Sequence, residues 1–376
     1  MKKLAILCGI ALLISGCTPD MNKEDEVVQK EDENKGQPSI VTSYQLSDEN
    51  YRTILPYEVS EARGVITGQI ANRVDIDEME QGLRRLSKAY FDPKKYYFEE
   101  GRYITKNEVI RLIDELNPEK DPFKEEDDVD REEKEEYQKE NPRYLSHILE
   151  QNYIKRNEDN TVEVVGVSIG IALKSVYHFS VDGYSFQKDL KHKEAIAAGK
   201  KHAQSILEYL RGIDELADVP IMIALYEEAD QGSPVPGSYQ ALTYAEPPGM
   251  MVDKWEALKE ETILFPSKQA EEKYFDDYQL MKRFGEGVAE FFPNYVGYVG
   301  EGFYIDENLK RLTIEIPISF YGKGEVIGFT QYVYGLVKET FSSQYELEIK
   351  ITSDDDVESI ISRPAGEDDP DVYISH

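Results

Sequence analysis

Hydrophobic residues recur along this chain at two different spacings, and each change of spacing marks a change of element. Near the start, Leu4 to Ile14 is an almost unbroken apolar run. From Asp77 to Tyr90, Met79, Leu83, Leu86 and Tyr90 fall on one stripe at helical spacing, which predicts an amphipathic helix. Thr105-Lys106-Asn107-Glu108 has the form of a capping box ahead of Val109, Leu112, Ile113 and Leu116, and Asn117-Pro118 ends that helix. Ser267 to Phe292 predicts one long helix with Tyr274, Tyr278, Met281, Phe284 and Val288 facing inward, stopped by Pro293.

The second half of the chain repeats a pattern. A polar turn at Asn157-Glu158-Asp159-Asn160 precedes a long strand from Val162 to Leu173. A helix from Glu194 to Leu210 follows, with Ile196, Ala203, Leu207 and Leu210 inward and Gly212 as its stop, and a buried strand from Pro220 to Tyr226 closes the unit. The same order returns as a turn at Asp306-Glu307-Asn308, a strand from Leu312 to Phe320, a helix from Glu325 to Phe341 burying Val326, Phe329, Val333 and Leu336, and a strand from Tyr345 to Ile351. Strands and helices are offset by different amounts, so the repeat is one of pattern; two ordinary strand–helix–strand units alike by chance would look the same. The expected fold class is α+β, with mixed sheets, packed helices and an internal duplication of a hairpin–helix–strand unit. The expected division is a leader at 1–16, an acidic disordered tether at 17–43, a first α+β half at 44–240 with an acidic insertion at 119–140, and a second half at 241–376. The insertion carries twelve acids against five bases, the composition of an exposed, mobile segment or a solvated helix.

The apolar run near the start follows Lys2 and Lys3 and ends at Ile14-Ser15-Gly16-Cys17. Eleven apolar residues suit a secretory signal, whereas a membrane-spanning helix needs about 20. Small residues before a cysteine resemble the bacterial lipobox, which implies cleavage between Gly16 and Cys17 and a diacylglycerol on the Cys17 thiol. Two acyl chains hold a protein stably at a bilayer where one holds it only marginally. The expected location is the outer face of the cell membrane of a Gram-positive cell, the lipid being the link to the membrane.

Cysteine usage agrees. The chain has two cysteines, Cys8 within the leader and Cys17 at the proposed lipid site, so the mature body has no thiol for a disulfide, a nucleophile or a zinc site. The five histidines, at 147, 178, 192, 202 and 376, form no HxH or HxxxH pair. Losing Lys2 and Lys3 takes the formal charge from −31 to −33, a field that repels nucleic acid and anionic headgroups. No cofactor and no nucleic-acid partner are expected.

Three motifs invite a catalytic reading, and each lacks a requirement. Gly166-Val167-Ser168-Ile169-Gly170 matches the GxSxG elbow, but the apolar run continues to Leu173, which places Ser168 inside a strand and not on a sharp turn. Ser185-Phe186-Gln187-Lys188 matches SxxK without the KTG-like strand and SxN-like loop that accompany it in penicillin-binding enzymes, and reads as a polar loop. Gly322-Lys323-Gly324 with Gly328 opens a helix between two strands, with Asp354 after the second, but the spacing is GxGxxxG where a dinucleotide site has GxGxxG. With 74 acids, no carboxylate pair singles itself out for glycoside hydrolysis. The aromatic run Phe291-Phe292-Pro293-Asn294-Tyr295, continued by Tyr298, Phe303 and Tyr304, has the chemistry to stack on sugars or peptide, although such residues mostly fill cores. No enzyme emerges.

Tyr51-Arg52-Thr53-Ile54-Leu55-Pro56-Tyr57, then Ser60-Glu61-Ala62-Arg63-Gly64, Tyr97-Phe98-Glu99-Glu100-Gly101-Arg102-Tyr103 and His147-Ile148-Leu149-Glu150-Gln151, resemble stretches of the CamS family of sex-pheromone lipoproteins. The resemblance implies that a short apolar peptide, here Ile10 to Gly16 (IALLISG), is trimmed from the signal sequence and released as a pheromone, in some members a trigger of conjugative plasmid transfer. It assigns no role to the mature body. A cell-envelope binding module for peptidoglycan or an exported protein is the alternative expectation, and a cell-wall hydrolase a third.

Overall fold

The computed structural model describes residues 26–30, 39–41, 50–55, 57–70, 72–124, 128–157, 161–291, 297–319, 322–353 and 356–375. In chain order the first part contains β1 (Glu26–Lys30), β2 (Ser39–Val41), β3 (Arg52–Leu55), α1 (Arg63–Gln69), α2 (Arg73–Ser87), β4 (Tyr97–Glu100), α3 (Lys106–Leu116) and α4 (Arg131–Glu140). Then come β5 (Leu145–Arg156), β6 (Thr161–Leu173), β7 (Val176–Val181), β8 (Tyr184–Asp189), α5 (His192–Arg211), β9 (Ile221–Glu227), β10 (Ser238–Ala245) and β11 (Glu256–Ala257). The rest comprises β12 (Glu260–Phe265), α6 (Lys268–Lys273), α7 (Phe275–Phe291), β13 (Val299–Ile305), β14 (Asn308–Pro317), α8 (Lys323–Thr340), β15 (Glu346–Ser353), β16 (Asp356–Arg363) and β17 (Asp371–Ile374).

The fold is α+β. Nine strands form one sheet in the order β1-β2-β3-β4-β5-β6-β9-β10-β11, and six form a second in the order β12-β13-β14-β15-β16-β17. Each contains the repeated unit. In the first, β5 and β6 are an antiparallel hairpin, α5 crosses over, β9 returns parallel to β6, and β10 is antiparallel to β9. In the second, β13, β14, α8, β15 and β16 take the same places with the same directions. A crossover helix is what joining parallel neighbours requires. The turn at Asp306-Glu307 holds both residues at positive φ, 49° and 63°, as a two-residue hairpin demands. The turn residues 158–160 lie outside the described residues. The chain leaves the first sheet at Ala257 and enters the second at Glu260, beyond the boundary expected at 240/241.

The first sheet is covered on both faces. On one face β6 presents Val167, Ile169, Ile171 and Leu173 to α3 and α5, whose Val109, Leu112, Ala203, Ile206, Leu207 and Leu210 complete a core. On the other it presents Gly166, Ser168, Gly170 and Ala172, all small, and α2 seats Met79 and Leu83 there with no exposed surface. Burying each of these two side chains contributes about 1.5–3 kcal/mol. A Cβ at Gly166 would stand 2.0 Å from the Phe91 ring, and one at Gly170 would stand 2.9 Å from the Tyr239 hydroxyl. The two glycines of the GxSxG sequence are therefore packing positions.

The second sheet is covered differently. One face carries α7 and α8, with Met281, Phe284, Val288, Phe329, Val333 and Val337 over Ile263, Leu312, Ile314, Ile349 and Ile351. The long helix expected from Ser267 to Phe292 is two helices: Ser267 caps α6, and the chain breaks at Tyr274 (φ −128°, ψ 55°) before α7 begins. Tyr274 stacks on Tyr304 at 3.8 Å and donates to Glu261, contacts that hold its backbone outside the helical region. Pro293 lies outside the described residues.

Other expectations meet the structure locally. Thr105 and Glu108 form the capping box of α3. The acidic segment 119–140 holds a solvated helix, α4, capped by Asp130 with Glu133 answering. Two short strands, β1 and β2, fall inside the segment expected to be a disordered tether. The Ser185–Lys188 stretch is not a loop but strand β8, hairpinned to β7 through an Asp182-Gly183 turn and ordered by the stacked rings of Phe179 and Phe186.

Candidate functional site

The stretches that carry the family resemblance meet in space. Glu100, at the end of β4, accepts hydrogen bonds from the Tyr57 hydroxyl (2.5 Å), the Ser60 amide (2.7 Å) and Arg63 Nη1 (2.7 Å), while Arg63 also pairs with Glu80 at 3.2 Å. Behind it, buried Glu150 accepts from the backbone amides of Arg102, Tyr103 and Ile104 and from the Asn152 amide. Burial raises the carboxyl pKa of Glu150, and these hydrogen bonds oppose the rise. Gly101 is required because a Cβ there would lie 2.4 Å from that of Glu150. A hollow of about 410 Å³ opens beside this cluster, but its Glu100 and Glu99 are already engaged, the latter with Arg102 at 3.7 Å. Through these contacts the stretches tie α1, β4 and β5 together.

A second concave place has the opposite character. Helix α2 lies between the two sheets: Met79 and Leu83 face the first, and Val74, Asp77, Glu78, Gln81 and Arg85 form a stripe toward the second. On the second sheet the pairing register sets Thr262 opposite Phe303 and Phe303 opposite Arg311, with Glu301 opposite Thr313 in the next row. Side chains alternate along a strand, so these residues share the face away from α7 and α8. The two walls, with Pro236, enclose a cleft of about 200 Å³.

One end of the seam is closed by Arg85. Its Nη2 donates to Glu78 Oε1 (2.9 Å) and to Glu260 Oε2 (3.0 Å), and its guanidinium lies 4.4 Å over the Phe303 ring. Ser238 adds a hydrogen bond to the Glu260 carbonyl. Burial raises the pKa of Glu260, and Arg85 holds that rise in check. In the open part the side chains of Asp77, Gln81, Thr262, Thr313 and Arg311 have no hydrogen-bond or ion-pair partner among the described residues; Arg311 is 5.5 Å over Phe303. Burial raises the pKa of Glu301, opposed by Arg311 and Lys350.

The residues singled out by motif do not assemble into a centre. Gly16 and Cys17 lie outside the described residues. Ser168 is fully buried in β6 with its Oγ 2.6 Å from that of Ser87, and Ser185 is exposed on β8, where Lys188 turns to the Lys139 carbonyl. Gly324 and Gly328 have open space around them, so neither provides the close packing of helix on strand that a dinucleotide glycine exists to allow, and Asp354 lies outside the described residues. His147 is buried against Gln69, His178 meets Asp230, His192 meets Glu227, His202 is mostly buried, and His376 is outside the described residues. No group of three or more metal-ligating side chains gathers among the described residues. Of the aromatic run, Phe292 through Tyr295 lie outside the described residues; Tyr304 is core, Tyr298 packs on Phe284, and Phe303 is the cleft wall. The stripe of α2 and the alternation Arg311, Thr313, Glu315 are visible in the sequence, but nothing there says that they face each other.

The fold and the seam define a class: an α+β body of two large sheets and a two-stranded one, built on one unit used twice, with a polar cleft where the two large sheets meet. A family model described as CamS sex pheromone cAM373 precursor matches residues 57–369, and the chain belongs to this family. The structure resembles that of a sex pheromone precursor from Lactobacillus salivarius subsp. salivarius UCC118, with 27% identity, 89% of this chain and 98% of that one covered, and a TM-score of 0.79. It also resembles the C-terminal domain of the sex pheromone staph-cAM373 precursor from Staphylococcus aureus, with 29% identity, 83% and 99% covered, and a TM-score of 0.69. No curated protein matches the chain.

Proposed function

We propose that this chain is an exported lipoprotein and peptide precursor: the leader is cleaved before Cys17, the Cys17 thiol carries diacylglycerol on the outer face of the membrane, and Ile10 to Gly16 is released as a short apolar signal. The observation that carries this reading is the sequence Lys2-Lys3, eleven apolar residues and Ile14-Ser15-Gly16-Cys17, in a member of a pheromone-precursor family. Among the described residues no helix is long and apolar enough to cross a membrane. Cells fed an alkyne-tagged palmitate should label the chain and not its Cys17→Ala variant, and mass spectrometry of the medium should find a fragment within residues 10–16. An unlabelled chain retaining its first residues sinks the anchor, and a medium without the fragment sinks the peptide.

A second, compatible reading concerns the body that stays on the membrane. The unspent polar groups of the seam support a binding module for envelope material, either peptidoglycan fragments or an exported protein. The test is retention of purified wall fragments by the full chain in detergent, compared with a variant whose cleft is filled by Thr313→Trp. Equal retention by both removes the cleft from this reading.

A further inference from the structure

We infer that the seam cleft is a site for a short peptide with both termini free, held by its carboxylate on Arg311 and by its ammonium on Asp77. This rests on the binding-module reading and specifies its ligand. The cleft, about 200 Å³, has room for a small molecule and none for a folded partner.

Charge decides the class. Asp77, Glu78 and Glu301 line the cleft, and the whole chain carries a formal −31, so a simple anion is repelled. A simple cation meets Arg311 on the sheet wall, while the negative charge of Glu78 is already matched by Arg85. A zwitterion uses both signs: Arg311 is on the sheet wall, Asp77 on the helix wall, and Glu301 lies one row from Arg311. Gln81, Thr262 and Thr313 supply donors and acceptors for a peptide amide between the charged ends, while Val74, Pro236 and Phe303 cover a small side chain.

The site is also prepared. Phe303 is buried, with Arg85 at 4.4 Å and Arg311 at 5.5 Å from its ring, so the Arg311 guanidinium is steadied before a ligand arrives. Less side-chain freedom is then lost on binding. A guanidinium offers a carboxylate two parallel N–H donors, and those of Arg311 make no hydrogen bond among the described residues, although the neighbouring Glu301 carboxylate attracts the same charge.

The experiment is calorimetric titration of the full chain in detergent with Ala-Ala, its N-acetyl form and its C-terminal amide, in L and D series. The zwitterion should bind, and either block should weaken binding roughly tenfold or more, the effect of removing one charge-assisted contact. In Arg311→Gln the difference between Ala-Ala and its amide should vanish while that between Ala-Ala and its acetyl form persists; in Asp77→Asn the reverse should hold. A merely structural role for either residue would not produce that crossed pattern. The proposal is overturned if Ala-Ala gives no heat at millimolar concentration, if blocked forms bind as well as the free dipeptide, or if both variants keep both differences. Retention of wall fragments by a chain that ignores all three dipeptides would refute this ligand and leave the binding module standing. The two stereochemical series separate a wall-derived source from an ordinary peptide.

Discussion

Replacing Arg85 by methionine tests what holds the two halves together. The guanidinium is the cation between Glu78 and Glu260, whose side chains are only 7% and 3% exposed, and it is itself 26% exposed. Methionine fills similar space and leaves both carboxylates buried without their partner. Breaking a buried ion pair from one side costs ~3–5 kcal/mol, because the remaining charge cannot return to water. At ~2–4 °C per kcal/mol for a body of this size or somewhat smaller, the thermal midpoint should fall by roughly 6–20 °C. Linkage gives the cost a pH signature. Glu260 has a folded pKa raised by burial, so the stability it contributes is present below its unfolded pKa and is lost as pH rises through the folded value. Without Arg85 that pKa rises further. The penalty of the variant should therefore be fully felt at about pH 8 and shrink toward about pH 5, as the carboxylate takes up a proton. Urea melts followed by the fluorescence of Trp255, the one tryptophan, measure this at both pH values. Adding Glu78→Gln and Glu260→Gln to Arg85→Met should recover most of the loss, since no buried charge is then left unpaired. A penalty below about 1 kcal/mol at neutral pH, or one that does not vary with pH, would show that the seam is not held by this pair.

Three further outcomes are expected. Gly166→Ala places a Cβ 2.0 Å from Phe91 and should cost ~1–3 kcal/mol or more in chemical melts, whereas an unchanged midpoint would mean that α2 and Phe91 can move away. Gly328→Ala, in a helix with nothing within 4 Å of the new methyl, should stabilise by up to ~1 kcal/mol; a loss of stability would reinstate a packing role for that glycine. Burial lowers the pKa of His147 to about 3, so the stability tied to its neutral form is complete above the unfolded value of ~6.5 and is lost as pH falls toward 3. His147→Asn keeps a donor for Gln69 but does not titrate, and the slope of stability against pH on the acid side should drop by up to about one proton. Parallel slopes for the two proteins would show that His147 is protonated in the folded state.

Some of this molecule is local and was readable in the chain. The capping box of α3, the hairpin–helix–strand units, the inward stripes of α5 and α8 and the strand identity of Ser168 follow from spacing and turn chemistry, because each is decided by residues a few positions apart. Elements decided by distant contacts were not readable. Tyr274 breaks a helix that its own neighbours favour because it stacks on Tyr304, thirty residues later. The Ser185–Lys188 stretch is a strand because it hairpins onto β7. The seam is the strongest case. The sequence shows that α2 has a polar stripe and that β14 alternates, and in isolation both patterns describe surfaces meant for water. Only the packing of α2 between two sheets turns Arg85 into a buried clamp and sets Arg311 across from Asp77, because burial and opposition are properties of the assembled layers and not of any one segment.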